Sequence, residues 1–424
     1  VWKAAGTLAA VIRLPAARDP EVSAIVLLDG AAELAERCLR ALAAADGDVA
    51  CETIVLLNDP DEELEQLVRR STTGARAIAC RANAGPGVGW NLGAAVARAP
   101  RLATLHEDSE PEPGWLRPLC ETMDESGAGA VGSRLLNGDG SVQNCGWALF
   151  SDASHLPLNA ATAPEVAAAS EPTPADMLSG AAMLVDREAV RAVGGWDERF
   201  HPAVFMDIDV STAIRSSGRP VLSVPASRVV HAGGTFDRRP NSPLTGPQLR
   251  HFLLERNGPR FVAKWGALMR ELAPPPADHD PETVRAAVGA AHSLTRARAE
   301  RLGSEERPGP AAQAERPFTG VEGPVVEGED GFAVAPAVEA ALRAGERELV
   351  DDYCRWLAER EGQVSTELAA AEATVAEQAR ELAELRTAVA AVEQQNREVH
   401  ATLAGVVNSR SWRLRNSLAR LLRR

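Results

Sequence analysis

Apolar residues along this chain fall into short unbroken runs, separated by stretches in which they recur every three or four positions. "VSAIVLL" (22–28) predicts a buried strand, "AAELAERCLRALAAA" (31–45) an amphipathic helix, "ETIVLLN" (52–58) a second buried strand and "DEELEQLVRR" (61–70) an acidic helix. A short strand "ARAIAC", a Gly-rich turn, the helix "NLGAAVARA" (91–99) and the strand "RLATLH" (101–106) follow. Strands apolar throughout and alternating with helices must be covered on both faces, which predicts an α/β fold with a mostly parallel central sheet. A second block runs from "AGAVGSRLL" through "SGAAMLVDREAVRAVGGWDERF" and "DIDVSTAIRSSG" to "PVLSVPASRVVHAGG", and the domain it completes ends near residue 265.

Beyond that point the pattern changes. Residues 270–335 are rich in Pro, Gly, Ala and charge, which favours linker over core, with a helix expected over about 285–303. From 336 the sequence turns helical. Leu368, Val375, Leu382, Val389, Asn396 and Leu403 recur every seven residues, and Ala371, Gln378, Leu385, Val392, Val399 and Val406 follow three places later. A sustained 3.5-residue period with one Asn at an a position predicts a parallel coiled coil, and so a homo-oligomer, whose register the buried amide sets. A long amphipathic helix folded back on the domain is the other reading. The end, "SRSWRLRNSLARLLRR", interleaves six arginines with Trp412, Leu414, Leu418, Leu421 and Leu422. It reads either as a basic amphipathic segment for peripheral contact with an anionic membrane or as a solvated helix end. The expected division is an N-terminal segment (1–20), an α/β domain (21–268), a linker (269–335), a helical coiled coil (336–407) and a basic tail (408–424).

Charge and cysteine content narrow the classes. A formal charge of -14 argues against nucleic acid as a partner, because phosphate recognition needs a dominant basic face. The six cysteines are scattered, with no C-x-x-C pair and no histidine at zinc spacing, so a reducing, cytoplasmic setting is expected. No apolar run approaches the roughly eighteen residues of a membrane span, and "AAGTLAAVIRLPAA", broken by Arg13 and Pro15, makes a poor signal peptide.

Candidate chemistry gathers in four places. "ATLHEDSEPEPGW" (103–115) puts Glu107, Asp108, Glu110 and Glu112 at the C-terminal end of a strand, where ligands of open α/β sheets bind. Alone it reads more readily as a solvated surface loop than as a site where Asp108 holds Mg2+ or Mn2+ beside a diphosphate. "RANAGPGVGWNLGAA" supplies Gly85, Gly87, Gly89 and Gly93 for close backbone approach, with Asn83 and Asn91 near a helix start. "GGWDERFHPAVFMDIDVSTAIRSSG" places Asp207 and Asp209 at a helix entrance, where one can serve as general base and the other as a cap. His231 closes the run "SRVVH" ahead of two glycines; a lone histidine there is usually structural, but a neutral imidazole with a carboxylate from elsewhere makes a mixed metal shell.

In this order and spacing the four blocks resemble the family 2 glycosyltransferases of the GT-A fold, in particular the bacterial rhamnosyltransferase-like group. The resemblance covers about residues 21–240. It rests on Asn83, Gly85, Asn91 and Gly93; on Asp108, Pro113, Trp115 and Leu116; on Gly194, Gly195, Trp196, Asp197, Glu198 and Phe200; and on Asp207, Asp209 and Arg215. It implies a hexosyl- or rhamnosyl-type enzyme that moves a sugar from a UDP- or dTDP-sugar to a saccharide or lipid-linked acceptor, in one inverting displacement. Cell-envelope polysaccharide synthesis at the inner face of the plasma membrane is the implied setting. Asp108 and His231 would hold the metal with His106, and Asp207 would be the base. Asn58, Asn83, Gly85, Asn91 and Asp108 would meet the donor, and Trp196, Asp197 and Glu198 the acceptor, with Asp209 and Arg215 in support. The chain departs from the family where His106 replaces the first acid of the D-x-D motif, where Asn58-Asp59 replaces Asp-Asn, and where Met206 replaces the acid before the base. A transferase-like scaffold without turnover, acting through its coiled coil, is the alternative from another class.

Overall fold

The computed structural model describes residues 11–159, 171–233, 247–302, 326–327, 333–408 and 414–416, apart from 31, 46 and 48. Two compact units are present, Val1–Tyr353 and Cys354–Arg424. In chain order the labelled strands of the first unit are β1 (Val22–Leu28), β2 (Cys51–Asn58), β3 (Arg76–Cys80), β4 (Arg101–His106), β5 (Ser109–Pro111), β6 (Ala130–Leu136), β7 (Val142–Asn144), β8 (Trp147–Leu149), β9 (His155–Pro157), β10 (Ala182–Asp186) and β11 (Val221–His231). The helices are α1 (Ala32–Ala44), α2 (Glu62–Ser71), α3 (Gly85–Val96), α4 (Leu116–Ser126), α5 (Arg187–Ala192), α6 (Met206–Ser216), α7 (Pro247–Met269), α8 (Pro281–Leu302) and α9 (Pro336–Asn408), the last continuing into the second unit.

The central sheet runs β11-β6-β10-β4-β1-β2-β3. Strands β4, β1, β2 and β3 are mutually parallel and β6 is parallel to β11, while β10 runs against both of its neighbours. The α/β class read from the apolar runs is therefore present, with one reversed strand in the middle. β1 and β2 are buried at every position, as strands covered on both faces must be. Residues 333–334 add a short parallel strand beside β3, at Ile78 and Ala79.

The largest local departure from the sequence reading is α3, which starts at Gly85 and takes in the stretch expected to be a turn. Glycine inside a helix costs about 1 kcal/mol relative to alanine. Here it permits contact that a side chain would block. A Cβ on Gly89 would stand 2.5 Å from Leu56 and one on Gly93 2.5 Å from Ile25, so α3 lies directly on the sheet. In the stretch expected as linker, α8 buries Val288, Ala291 and Thr295, and in the stretch expected as coiled coil the first turns of α9 bury Val338, Leu342, Leu349 and Tyr353.

In the second unit, every residue of α9 from 361 to 405 is exposed. Leu368, Val375, Leu382, Leu385, Val389, Val392, Val399 and Leu403 all stand in solvent, Leu385 to 66 %. Of the basic tail only 414–416 are described, as a helical turn, and the remainder lies outside the described residues. Among the described residues no helix is long and apolar enough to cross a membrane.

At the end of the sheet away from Asn58, Glu52 accepts hydrogen bonds from Ser23 Oγ (2.6 Å), Arg98 N (2.8 Å), Arg98 Nε (2.8 Å) and Arg76 (2.9 Å). Burial alone would raise its pKa, but the bonds from Ser23 and Arg98 and the Arg76 charge bring it below the ordinary glutamate value. A lowered carboxyl pKa contributes stability above the unfolded pKa and loses it as pH falls through the folded one. Glu52→Gln is therefore expected to cost about 2 kcal/mol at neutral pH in urea unfolding. The difference from the unmodified protein should close as the solution is acidified below the ordinary glutamate range.

Candidate active site and metal centre

The acidic stretch 103–115 does not act as one cluster. Each of its four carboxylates has a different partner. Glu107 is buried and accepts from Asp29 N at 2.6 Å, tying the end of β4 to the end of β1. Glu110 pairs with Arg37 of α1, and Glu112 with Arg228 of β11 at 2.8 Å. Asp108 is also buried, and its Oδ1 lies 3.3 Å from His231 Nε2.

Strand register makes that contact. β5 runs antiparallel to the end of β11, with Ser109 opposite His231, and Ala232 N donates to Asp108 O at 3.0 Å. His106 is the last residue of β4 and stacks on Trp90 of α3, with ring centroids 5.5 Å apart and planes 20° from parallel. The structure thus brings together all three residues expected as metal ligands, with one ligand atom each from His106, Asp108 and His231 lying within 4.8 Å of one another.

The protonation pattern suits a cation. Burial pushes the His106 pKa down, against the pull of Asp108, so the ring stays neutral, and its buried Nε2 has no hydrogen-bond partner among the described residues. His231 is oriented by a residue that the sequence did not single out. Gln143 Nε2 donates to His231 O (3.1 Å) and to Asn137 Oδ1 (3.3 Å), which turns its carbonyl oxygen to His231 Nδ1 at 2.7 Å. With the amide so assigned, Nδ1 donates to Gln143, and Nε2 is the ring nitrogen that faces Asp108. Cys38, whose Sγ lies 3.4 Å from His106 O, is held as a neutral thiol by burial and then by the Asp108 and Glu107 charges, so it supplies no thiolate. Two imidazole nitrogens and one carboxylate oxygen fit a divalent ion that tolerates nitrogen ligands.

The expected donor residues gather where β2 and β3 end. Asn58 Nδ2 donates to Asp29 Oδ1 (2.8 Å) and Asn83 Oδ1 (3.3 Å), and its Oδ1 accepts from Ala84 N (2.6 Å). Gly85, at φ +61, admits no side chain, since a Cβ there would stand 1.9 Å from Pro202 O. Asn91 sits apart from this group. It donates to Trp196 O and Glu198 Oε1 (2.8 Å each) and accepts from Trp196 N (3.0 Å), clasping the loop expected to meet the acceptor.

That loop is braced by Lys264, which the sequence reading passed over. Its ammonium bridges Asp197 (2.8 Å) and Asp209 (2.7 Å), and Trp265 Nε1 donates to Asp209 at 2.7 Å. Burial would raise the Asp197 pKa, but Arg199 and Lys264 hold it well below the ordinary carboxylate range, whereas burial raises that of Asp209 despite Lys264. Asp209 is therefore committed to structure, as is Arg215, buried against Asp176. Asp207 is oriented differently. It is the second residue of α6, which follows Val204 and Phe205, both at positive φ, and its carboxylate accepts from Ile208 N (3.0 Å) and Gly180 N (3.4 Å). His155, also unforeseen, lies edge-on to Phe205 with centroids 6.3 Å apart. Burial lowers its pKa, with the Asp207 charge pulling the other way.

Residues 23–194 match the family model described as Glycosyl transferase family 2. That stretch, less than half of the chain, is similar to family 2 glycosyltransferase domains. The mixed α/β architecture with its curled sheet is accordingly of the GT-A class. The chain is 25 % identical over 146 residues to the uncharacterized protein y4gI of Sinorhizobium fredii, covering 33 % of this chain and 16 % of that protein's length. Among solved structures it is similar to GalNAc-T7 with UDP, GalNAc and Mn2+ (TM-score 0.45, 17 % identity, 59 % of this chain and 50 % of that one). It is also similar to the mannosyltransferase PcManGT of Pyrobaculum calidifontis with GDP-Man and Mn2+ (TM-score 0.40, 16 % identity, 70 % and 79 %).

Calorimetry with Mn2+ alone tests the metal centre. Asp108→Ala should abolish binding without unfolding the protein, and Gln143→Ala should weaken it by about tenfold or more through loss of the His231 orientation. Mn2+ should bind more tightly than Mg2+, because two of the three ligands are imidazoles.

Proposed function

We propose that the protein is a metal-assisted glycosyltransferase that takes a UDP- or dTDP-sugar as donor and a saccharide or lipid-linked hydroxyl as acceptor. The observation that carries this reading is the His106–Asp108–His231 cluster at the carboxyl ends of the sheet of a family 2 domain. Asn58, Asn83 and Gly85 would meet the nucleoside, and the Trp196–Glu198 loop the acceptor. A divalent ion held by the cluster supplies charge neutralisation for the departing diphosphate. Asp207, whose carboxylate accepts from two backbone N–H groups at a helix start, takes the acceptor hydroxyl proton. The freed oxygen forms the new bond to the anomeric carbon as the bond to the diphosphate oxygen breaks, which inverts that centre. Hexosyl or rhamnosyl transfer in cell-envelope polysaccharide synthesis, at the cytoplasmic face of the membrane, fits these acceptors.

The exposed heptad face of α9 favours pairing with a second copy of the chain through a parallel coiled coil. It also supports a second reading, a scaffold that has lost turnover. Asp207→Asn separates the two. Nucleoside diphosphate release from UDP- and dTDP-sugars should fall by about a thousandfold while nucleotide affinity stays the same. Release unaffected by the substitution contradicts the assignment of the base, and its absence from the unmodified protein leaves the scaffold.

A further inference from the structure

The turn after β3, residues 81–85, has its backbone polar groups held one after another by side chains. Ala84 N donates to Asn58 Oδ1 at 2.6 Å, Gly85 N donates to Asn83 Oδ1 at 3.0 Å, and Asn83 O lies 2.6 Å from His201 Nε2. The two groups that open the turn are held from far along the chain. Arg81 N donates to Glu339 Oε1 at 3.0 Å, and Arg343 donates to Arg81 O. Glu339 and Arg343 are four residues apart in the first turns of α9 and so share one face of the helix. The same segment is fixed in two further ways. Residues 333–334 extend the sheet beside β3, and Ala335, Val338 and Leu342 belong to the core that contains Ile78, Cys80, Ala82 and Ala84.

We propose that the base of α9 completes the donor site, with Glu339 acting as a positioning residue that sets the backbone of turn 81–85 so that Asn83 and Gly85 meet the nucleotide. The inference rests on the donor assignment made above. It goes beyond that assignment by giving a segment outside the matched family domain a role in nucleotide binding. A carboxylate closing on a backbone N–H makes a charge-assisted bond that a water molecule replaces poorly. With the acceptor removed, Arg81 N loses its charge-assisted bond, and Arg343 on Arg81 O, the Arg81–Glu65 pair and the strand pairing hold the start of the turn less fully. The ordering of Asn83 and Gly85 must then be supplied from nucleotide binding, which weakens it. By the same linkage, bound nucleotide should protect the α9 base.

The experiment uses the full chain, with UDP and Mn2+ as probe. Glu339→Ala should raise the Kd for UDP about tenfold, a loss of one charge-assisted bond's worth of affinity. Glu339→Gln keeps an oxygen acceptor for Arg81 N and should stay within about twofold of the unmodified protein. Hydrogen exchange provides the second readout. In Glu339→Ala the amides of 81–85 should exchange faster while those of α1 do not change, and in the unmodified protein UDP should slow exchange over 336–349. Should Glu339→Ala fail to fold, Arg343→Met removes the other bond of the clasp and should give the same local exchange with weaker UDP binding. An unchanged Kd in a folded Glu339→Ala, or an equal loss in Glu339→Ala and Glu339→Gln, overturns the positioning role and leaves the donor assignment standing. If the unmodified protein binds neither UDP nor dTDP, the donor assignment falls and takes this proposal with it.

Discussion

Between β4 and β5 the chain changes partners. β4 is paired with β1 and β10 inside the sheet, and three residues after it ends, β5 is paired with the end of β11. Asp108 lies in that crossing, its carbonyl bonded to Ala232 N and its carboxylate beside His231. The rest of the site depends on this register. A slip of one residue between β5 and β11 would turn His231 to the opposite face of its strand and dissolve the cluster. Glu107, anchored on Asp29 N, and Glu112, paired with Arg228, hold the crossing from either side. The carboxylates that do not reach the site thus fix the one that does.

Close packing beneath the crossing does similar work. Because Gly89 and Gly93 let α3 lie on the sheet, Trp90 is buried under His106 and leans on Trp196 at 5.6 Å. Gly180 leaves room for its ring, since a Cβ there would stand 2.1 Å from the indole. Trp90 therefore contacts both His106 and Trp196, in the loop proposed to meet the acceptor. Asn91, the next residue, bonds that loop directly. The Lys264 bridge between Asp197 and Asp209 closes the arrangement from α7. Rigidity around the site comes from these few buried contacts, which suits chemistry that depends on placing charge accurately.

How much of this could be read from the sequence differs from residue to residue, for physical reasons. The strands were legible because apolar runs buried on both faces leave little ambiguity, and "VSAIVLL" coincides with β1. Asp108 and His231 stood out because an acid at a strand end and a histidine closing a strand are local patterns. Their meeting is not local, since it depends on the pairing of residues 109–111 with 229–231. Gln143 and Lys264 gave no signal. Each is an ordinary polar residue whose role is created by a partner 88 or 55 residues away. The glycines of α3 misled in the usual direction, reading as a turn when their lack of side chains serves helix-to-sheet contact. Asn91 read as a residue for local or ligand hydrogen bonds near a helix start; inside the helix that exists, its amide bonds Trp196 and Glu198.

The central claim is that three residues from two strand ends form a metal centre serving a nucleotide. Melting temperatures measured with UDP, dTDP, GDP and CMP, each in the presence of Mn2+ or of chelator, test it most directly, because a ligand that binds only the folded state must raise the transition. The account predicts a rise for UDP or dTDP that appears with Mn2+ and vanishes with chelator. Transitions that stay flat across all eight conditions, or a rise indifferent to the metal, would contradict it.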